Sequence, residues 1–365
     1  MNRTRQRGFT LIELMVALVV SSLLVGMILA IFLRLSVAYR SQQQIAGMQQ
    51  VLAAARMTIE NDAKQAGLGM TNGIKIASGT NVRYSPVTVT NFNNKPDQIR
   101  FIYADQSFQA AVISNGNAAS TVPVDSSSGF SVGDIVIVSN PDTSTTNPGG
   151  GANITKFDSC ILRVIQIPDG VSVLFDTAPP FGTPANLHCP ALIANKTMIY
   201  KIVAHAYRID PTRPDDGVLQ MSVTGDLFGA NDWQDLAYGF TDLQVATQFY
   251  DGDGIDTADP DTDGNRDWYS GDTQTTLTQP ILDGNEYKPP LQMTITLVAR
   301  TDRDVEGIPT AATPQLTVPG NDNNNSIGDR PSVPLPSATD PALMGSRIYR
   351  YTTFVVDFRN IGVGK

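Results

Sequence analysis

The chain has 365 residues, 41% of them apolar and 17% charged, with 26 basic and 35 acidic side chains for a net charge of −9. That apolar share excludes wholesale disorder. The acidic balance, with no basic patch interleaved with aromatics, excludes a nucleic-acid-binding role. Without residues 1–8, which carry Arg3, Arg5 and Arg7, 23 basic side chains face 35 acidic ones, a net of −12. The length exceeds that of a typical compact domain but suits one large β-rich domain with insertions. The two cysteines, Cys160 and Cys189, form one disulfide in an oxidising compartment and stay reduced in the cytosol.

Phe9 to Leu33 is a run of 25 residues with one charge, Glu13. As a helix it spans a hydrocarbon core of about 30 Å. It is longer than a secretory h-region of about 7–15 residues, and "AIFLRLSVAYR" after it is a poor cleavage site. Arg3, Arg5 and Arg7 place the N-terminal end in the cytoplasm and the body outside it. A carboxylate in such a segment costs about 2.5–3.5 kcal/mol at the helix centre, so Glu13 needs a reason.

Gly8-Phe9-Thr10-Leu11-Ile12-Glu13 resembles the type IV prepilin leader: a short basic peptide, Gly, an apolar residue, three residues, then Glu. The resemblance implies that a prepilin peptidase cuts between Gly8 and Phe9 and methylates the new amino terminus of Phe9. It also implies that Glu13 serves assembly. In a filament core an unpaired carboxylate is costly. The cationic amino terminus of an adjacent subunit would neutralise Glu13 and set axial register.

A narrower resemblance, to PilW-type minor pilins, rests on residues 38–70, "AYRSQQQIAGMQQVLAAARMTIENDAKQAGLGM". It rests also on "AYRID" near 206–210, "GFTDLQVATQFYDGDG" near 239–254 and "RYTTFVVDFRN" with its Arg359-Asn360 pair. It is weak over roughly 110–195 and 305–345, which read as insertions. It implies an α+β, type IV pilin-like fold: a long N-terminal helix, transmembrane in its first half, packed on an antiparallel sheet, with an inserted β-rich module.

No proline interrupts Phe9 to Met70, and Ile45, Met48, Leu52, Ala55 and Ile59 recur at helical spacing. Gly67 and Gly69 supply a stop. A helix over about 10–66 is predicted, its second half laying this stripe on the body. After Met70 the period becomes two. "LQMTITLVAR" alternates Leu291, Met293, Ile295 and Leu297 with Gln292, Thr294 and Thr296, as in a half-buried antiparallel strand. "MIYKIVAHAYRI", "VLQMSV", "LQVATQFY" and "TTFVVDF" are predicted to join it in one sheet on the helix. "QIRFIYA", "DIVIVS", "ILRVIQI" and "VSVLF" suggest a separate β module at about 97–195. The expected organisation is leader 1–8, helix 9–70 and extracytoplasmic head 71–365.

A Cys160–Cys189 bridge would close a loop worth about 3–4 kcal/mol in the chain-entropy model. The leader places the body outside the cytoplasm, so the bridge is the expected state.

Three stretches read as exposed loops, 140–153, 251–267 and 319–341. The second is densely acidic. Asp259, Asp261, Asp263, Gly264, Asn265 and Asp267 give D-x-D-x-D-G-N-x-D, a pattern that can wrap oxygens around calcium. Ser270 stands where an EF-hand has its bidentate Glu, and no flanking helices are predicted. Upstream Asp251, Asp253 and Asp256 could complete the cage. Calcium is the expected cofactor; the competing reading is a solvated acidic loop.

Enzyme motifs are poorly supported. Gly129-Phe130-Ser131-Val132-Gly133 fits G-x-S-x-G, but a strand follows it where a nucleophile elbow needs a helix. His205 lies in a strand pattern, and His188 beside Cys189 lacks the further ligands zinc needs. No catalytic residue is assigned.

The reading is therefore a minor pilin, not an enzyme. It would be held in the inner membrane with its head in the periplasm, then carried to the cell-surface pilus. Its implied partners are prepilin peptidase, other minor pilins, the major pilin and a tip adhesin, in a complex that primes assembly and serves adhesion or motility. The rivals are a J-type pseudopilin of type II secretion, with the same leader and architecture, and an anchored surface-binding adhesin module.

Overall fold

The computed structural model describes residues 10–70, 74–75, 83–84, 86–90, 95–118, 121–139, 159–176, 192–213, 216–226, 231–249, 268–269, 281–283, 286–288, 290–302 and 347–360. One helix, α1 (Leu11–Gln65), leads the fold. At 1.5 Å per residue it is about 82 Å long. Thr10 is its N-cap, and Ala66, with φ −50° and ψ 133°, ends it. The expected span of 10–66 differs by one residue at each end, within ordinary fraying.

The two halves of α1 meet different surroundings. From Leu11 to Leu35 every large apolar side chain is between 51% and 79% exposed. This half is long and apolar enough to cross a membrane. From Ile45 onward the helix is amphipathic. Met48, Leu52, Ala55, Ile59 and Ala63 are buried, and Ile45 packs at their margin.

Past α1 the chain turns on Gly67 and Gly69, with φ of 81° and 77°. A Cβ at Gly69 would stand 2.6 Å from Ala104 Cβ, so both conformation and space require glycine. The Gly67 amide donates to Ile102 O at 3.0 Å, and the Ala104 amide donates to Leu68 O at 2.9 Å. The end of the helix is thereby tied to the first long strand.

The strands form two principal sheets. The first contains β1 (Ile74–Lys75), β2 (Arg83–Tyr84), β3 (Val87–Thr90), β4 (Gln98–Ala111), β5 (Val122–Pro123), β6 (Ile135–Ser139), β7 (Ser159–Asp169), β8 (Ser172–Phe175), β9 (Met198–Ile209), β10 (Val218–Ser222) and β11 (Trp233–Tyr238). Its main path runs β11-β10-β9-β6-β7-β1-β2, with β4 also paired to β9. Pairing is antiparallel except for β1 with β7. The second sheet contains β12 (Phe240–Phe249), β13 (Trp268–Tyr269), β16 (Pro290–Arg300) and β17 (Tyr349–Asp357), in the order β13-β12-β16-β17. A small hairpin, β14 (Ile281–Asp283) and β15 (Glu286–Lys288), stands apart from both. The architecture is α+β: a long N-terminal helix with antiparallel sheets.

This corrects three expectations. The strands assigned to one sheet over the helix are divided between two, because β9 and β10 belong to the first and β12, β16 and β17 to the second. The division falls at Gly239, whose φ of 88° turns the chain between β11 and β12. There the Phe240 amide donates to Gly217 O and the Arg300 amide to Gly239 O, both at 2.7 Å.

Next, the strands of 97–195 are not hydrogen-bonded apart from the rest. β4 and β9 pair with each other and carry a core on each face. Ile99, Phe101, Tyr207 and Ile209 face α1, while Ile102, Ala104 and Ala204 face a second core with Val136, Leu162 and Phe175. Alternation along a strand puts successive side chains on opposite faces, so one pair of strands serves both cores.

Finally, β16 is buried on both faces. Met293, Ile295 and Leu297 face the helix core, but Thr294 and Thr296 are only 2% and 1% exposed. Thr296 satisfies part of its polarity against Thr353 Oγ1 at 2.9 Å.

Candidate functional site

Glu13 sits in the first turn of α1, three residues after the N-cap. The Thr10 amide and the Thr10 hydroxyl donate to Glu13 Oε2 at 2.9 and 3.0 Å, and the Glu13 amide donates back to Thr10 Oγ1 at 3.3 Å. This is a capping box: two otherwise unpaired groups at the helix start satisfy each other. Glu13 is thus given a local partner that hydropathy and spacing did not anticipate, although the Thr-x-x-Glu signature is present in the sequence. Gly8 and Phe9 lie outside the described residues.

At the other end of α1 stands a second carboxylate, in the middle of the buried stripe. Asp62 follows Ile59 by three positions and is 7% exposed. The Tyr103 hydroxyl donates to its Oδ1 at 2.9 Å. His205 Nδ1 and the Tyr207 hydroxyl meet its Oδ2 at 2.7 and 2.5 Å. The sheet explains the convergence. β4 pairs with β9 so that Phe101 lies opposite His205 and Ile99 opposite Tyr207. Tyr103, His205 and Tyr207 are then helix-facing positions of two neighbouring strands. The Tyr103 and His205 rings also meet edge to face, with centroids 6.3 Å apart.

The electrostatics follow from this geometry. Burial works to raise the Asp62 pKa, but the bonds from His205, Tyr207 and Tyr103 outweigh it and hold the carboxyl below its ordinary value. Burial, and then the Asp62 charge, push both tyrosines upward, so they remain O–H donors. The last turn is also held by Asn360, whose amide donates to Lys64 O at 3.0 Å. Asn360 belongs to the late Arg359-Asn360 pair noted in the sequence. At the edge of the buried face of α1, Glu60 pairs with Arg56 and Lys64, and Arg56 lies over the Phe354 ring at 5.2 Å.

The Asp62 cluster was not predicted. A charged residue in register with an apolar stripe was the available signal, as was the alternation that puts His205 and Tyr207 on one strand face.

The other sequence candidates are placed as follows. Cys160 is buried on β7, opposite Val138, and carries no free thiol. Cys189 and the acidic-loop candidates Asp251, Asp253, Asp259, Asp261, Asp263, Asn265 and Asp267 lie outside the described residues, as does His188. Gly129 and Gly133, with φ of 94° and 98°, bracket a turn in which the Ser131 amide donates to Asp134 Oδ2 at 2.8 Å. The strand β6 follows it, so no elbow helix presents the hydroxyl.

Residues 3–29 match the family model described as the prokaryotic N-terminal methylation motif. No curated protein matches the chain. Among solved structures, a type IV-like pilin from Thermus thermophilus aligns over 86% of this chain and 97% of its own, at 9% identity and a TM-score of 0.34.

The Asp62 geometry gives a stability prediction. A carboxyl whose folded pKa is depressed contributes stability above its unfolded value and loses it as pH falls through the folded value. Asp62→Asn should cost about 1.5–3 kcal/mol at neutral pH, the scale of hydrogen bonds to a charged group. It should also flatten the fall in stability on the acid side. Denaturant melts of both proteins from pH 7 downward check this. Equal stability at pH 7 would show the carboxylate to be dispensable.

Proposed function

We propose that this chain is a minor pilin of the PilW type, which is cut and methylated at its leader and assembles into a type IV pilus. One observation carries the reading: α1 is continuous from an apolar half that the head leaves exposed into a half that forms part of the head's own core. Such a helix needs two different environments, lipid before assembly and other subunits after it. The N-terminal methylation motif at 3–29 supports processing by a prepilin peptidase. The positive-inside rule supports a periplasmic head. The head, with its second core, is bulky. Shaft subunits must pack laterally many times, so a bulky head suits a priming or tip complex better than the shaft. Other pilins are the partners that this position requires.

Cys160 and Cys189 are assigned to one disulfide, since an oxidising periplasm favours it and the chain has only these two cysteines. Mass spectrometry of the membrane-extracted, unreduced protein tests both chemical assignments. The amino terminus should be N-methyl-Phe9, and denatured protein should take up no thiol reagent. An intact Met1 would refute the processing, and two reactive thiols would refute the bridge.

Glu13 is the proposed assembly residue. Glu13→Val removes a charge from the apolar segment, so insertion should hold or improve. Incorporation into pili should fall at least tenfold in cells lacking the wild-type chain, measured in sheared filaments. Normal incorporation would remove Glu13 from assembly.

Calcium is the proposed cofactor of the acidic loop. Asp259, Asp261, Asp263 and Asp267 supply carboxylates, Gly264 permits the turn and Asn265 offers its carbonyl. Upstream Asp251 and Asp253 extend the donor set towards the six to eight oxygens calcium takes. Binding to the native state alone raises stability by mass action. The full chain in detergent should melt higher in millimolar calcium than in chelator, with magnesium helping less. The double change Asp261→Ala with Asp263→Ala should abolish the gain. Identical melting in calcium and chelator would leave the loop a solvated acidic surface.

A further inference from the structure

The cluster at Asp62 does something that the apolar stripe around it cannot. Apolar packing is non-directional, and a helix lying on a sheet through Met48, Leu52, Ala55 and Ile59 can roll at little cost in buried area. Hydrogen bonds from fixed donors do not tolerate rolling. Asp62 receives three of them, from two strands that are themselves held in register. Of the other ties at this end, the Asn360 side chain gives the helix one further directional bond, at Lys64 O, and the backbone ties act differently. The bonds of Gly67 and Leu68 to β4 lie beyond Ala66, where the backbone has already left helical geometry. They fix the end of the connection along the helix axis and leave its rotation to the side chains.

Rotation matters because α1 is one uninterrupted helix. Glu13 is 49 positions before Asp62. At 1.5 Å per residue it lies about 74 Å away along the same helix. A roll at Asp62 is therefore carried to Glu13.

We propose that Asp62 is a positioning residue: its three bonds fix the rotation of α1 on the head, and so set the direction in which Glu13 faces a neighbouring subunit. The second clause rests on the assembly role proposed for Glu13; the first does not.

The test uses the full chain in detergent, with nitroxide labels on Gln50→Cys of α1 and Asp216→Cys of the β9–β10 turn, both exposed positions. With Asp62 in place, the measured distance distribution should be single and narrow. In Asp62→Leu, which suits the apolar stripe but accepts no hydrogen bond, it should broaden at least twofold. Asp62→Asn keeps an acceptor and should restore most of the narrowness. A merely structural role would shift the melting temperature and leave the distribution narrow, and that result overturns the proposal. Should Asp62→Leu fail to fold, the double change Tyr103→Phe with Tyr207→Phe removes two donors while keeping both rings and decides in the same way.

Pili from cells expressing Asp62→Leu with Glu13 intact test the second clause, and incorporation should fall at least fivefold. Normal incorporation despite a broadened distance would overturn the link to Glu13. If instead Glu13→Val itself assembles normally, the assembly reading fails while the rotational role of Asp62 stands on the distances alone.

Discussion

A carboxylate on a helix that is otherwise apolar towards the sheet can be kept in the core only if donors wait for it. Everything at the junction of helix and head is arranged around that requirement. Tyr103, His205 and Tyr207 project from adjacent strands to one point, and the strands bring them there because β4 and β9 pair in the register that sets Phe101 opposite His205. Slipping β4 by one residue would turn Tyr103 to the opposite face, and slipping β9 would turn His205 and Tyr207. The register of the first sheet and the seating of the helix are thus one constraint seen from two sides.

The same two strands explain how a head of this size stays in one piece. A sheet that buries one face against a helix usually leaves the other to solvent. Here the second face of β4 and β9 is covered by residues of β5 to β8 and by Phe130, which form a core of their own around Val136, Leu162 and Phe175. Neither core could be detached without exposing half of those strands. The second sheet joins the first directly, where the Phe240 amide donates to Gly217 O, and through the helix, since Leu243, Val245, Ile295, Leu297 and Phe354 pack in the same cluster as Ile59 and Tyr207. The helix is the element that both sheets share.

Much of this was legible in the sequence, and what was not has definite causes. Helical spacing from Ile45 to Ile59 located both the helix and its buried face, because 3.6-residue periodicity over many turns leaves few alternatives. Period-two alternation located the long strands. It could not say which strands pair, since pairing depends on contacts between positions far apart in the chain. The partition into two sheets turns on Gly239, and nothing local marks that glycine as a change of sheet when Gly217 and Gly225 also take positive φ. β16 read as half-buried because its threonines look solvent-facing. Polarity reports what a side chain can bond, not whether water is what it bonds. Asp62 was passed over for the converse reason. A carboxylate in a helix is usually a solvated face, and only the tertiary placement of two tyrosines and a histidine reveals that this one is not.

The capping geometry at Glu13 bears on how one carboxylate can serve both a lone subunit and an assembly. In the single chain, Thr10 donates both of its bonds to Oε2. An ionised carboxylate offers about four lone-pair sites on two oxygens, so those bonds leave Oε1 with accepting capacity. Cleavage after Gly8 would create an ammonium on Phe9, one residue from the cap. An ammonium so close could bond its own Glu13, and that local pair would compete with one between subunits. The capping box weighs against the local pair. It holds Oε2 against the Thr10 amide and hydroxyl, so that oxygen is already engaged. In the proposed filament the ammonium would come from a neighbouring subunit. It would meet Oε1 while Oε2 continues to cap the helix, so the proposed pairing between chains would add a bond without removing one.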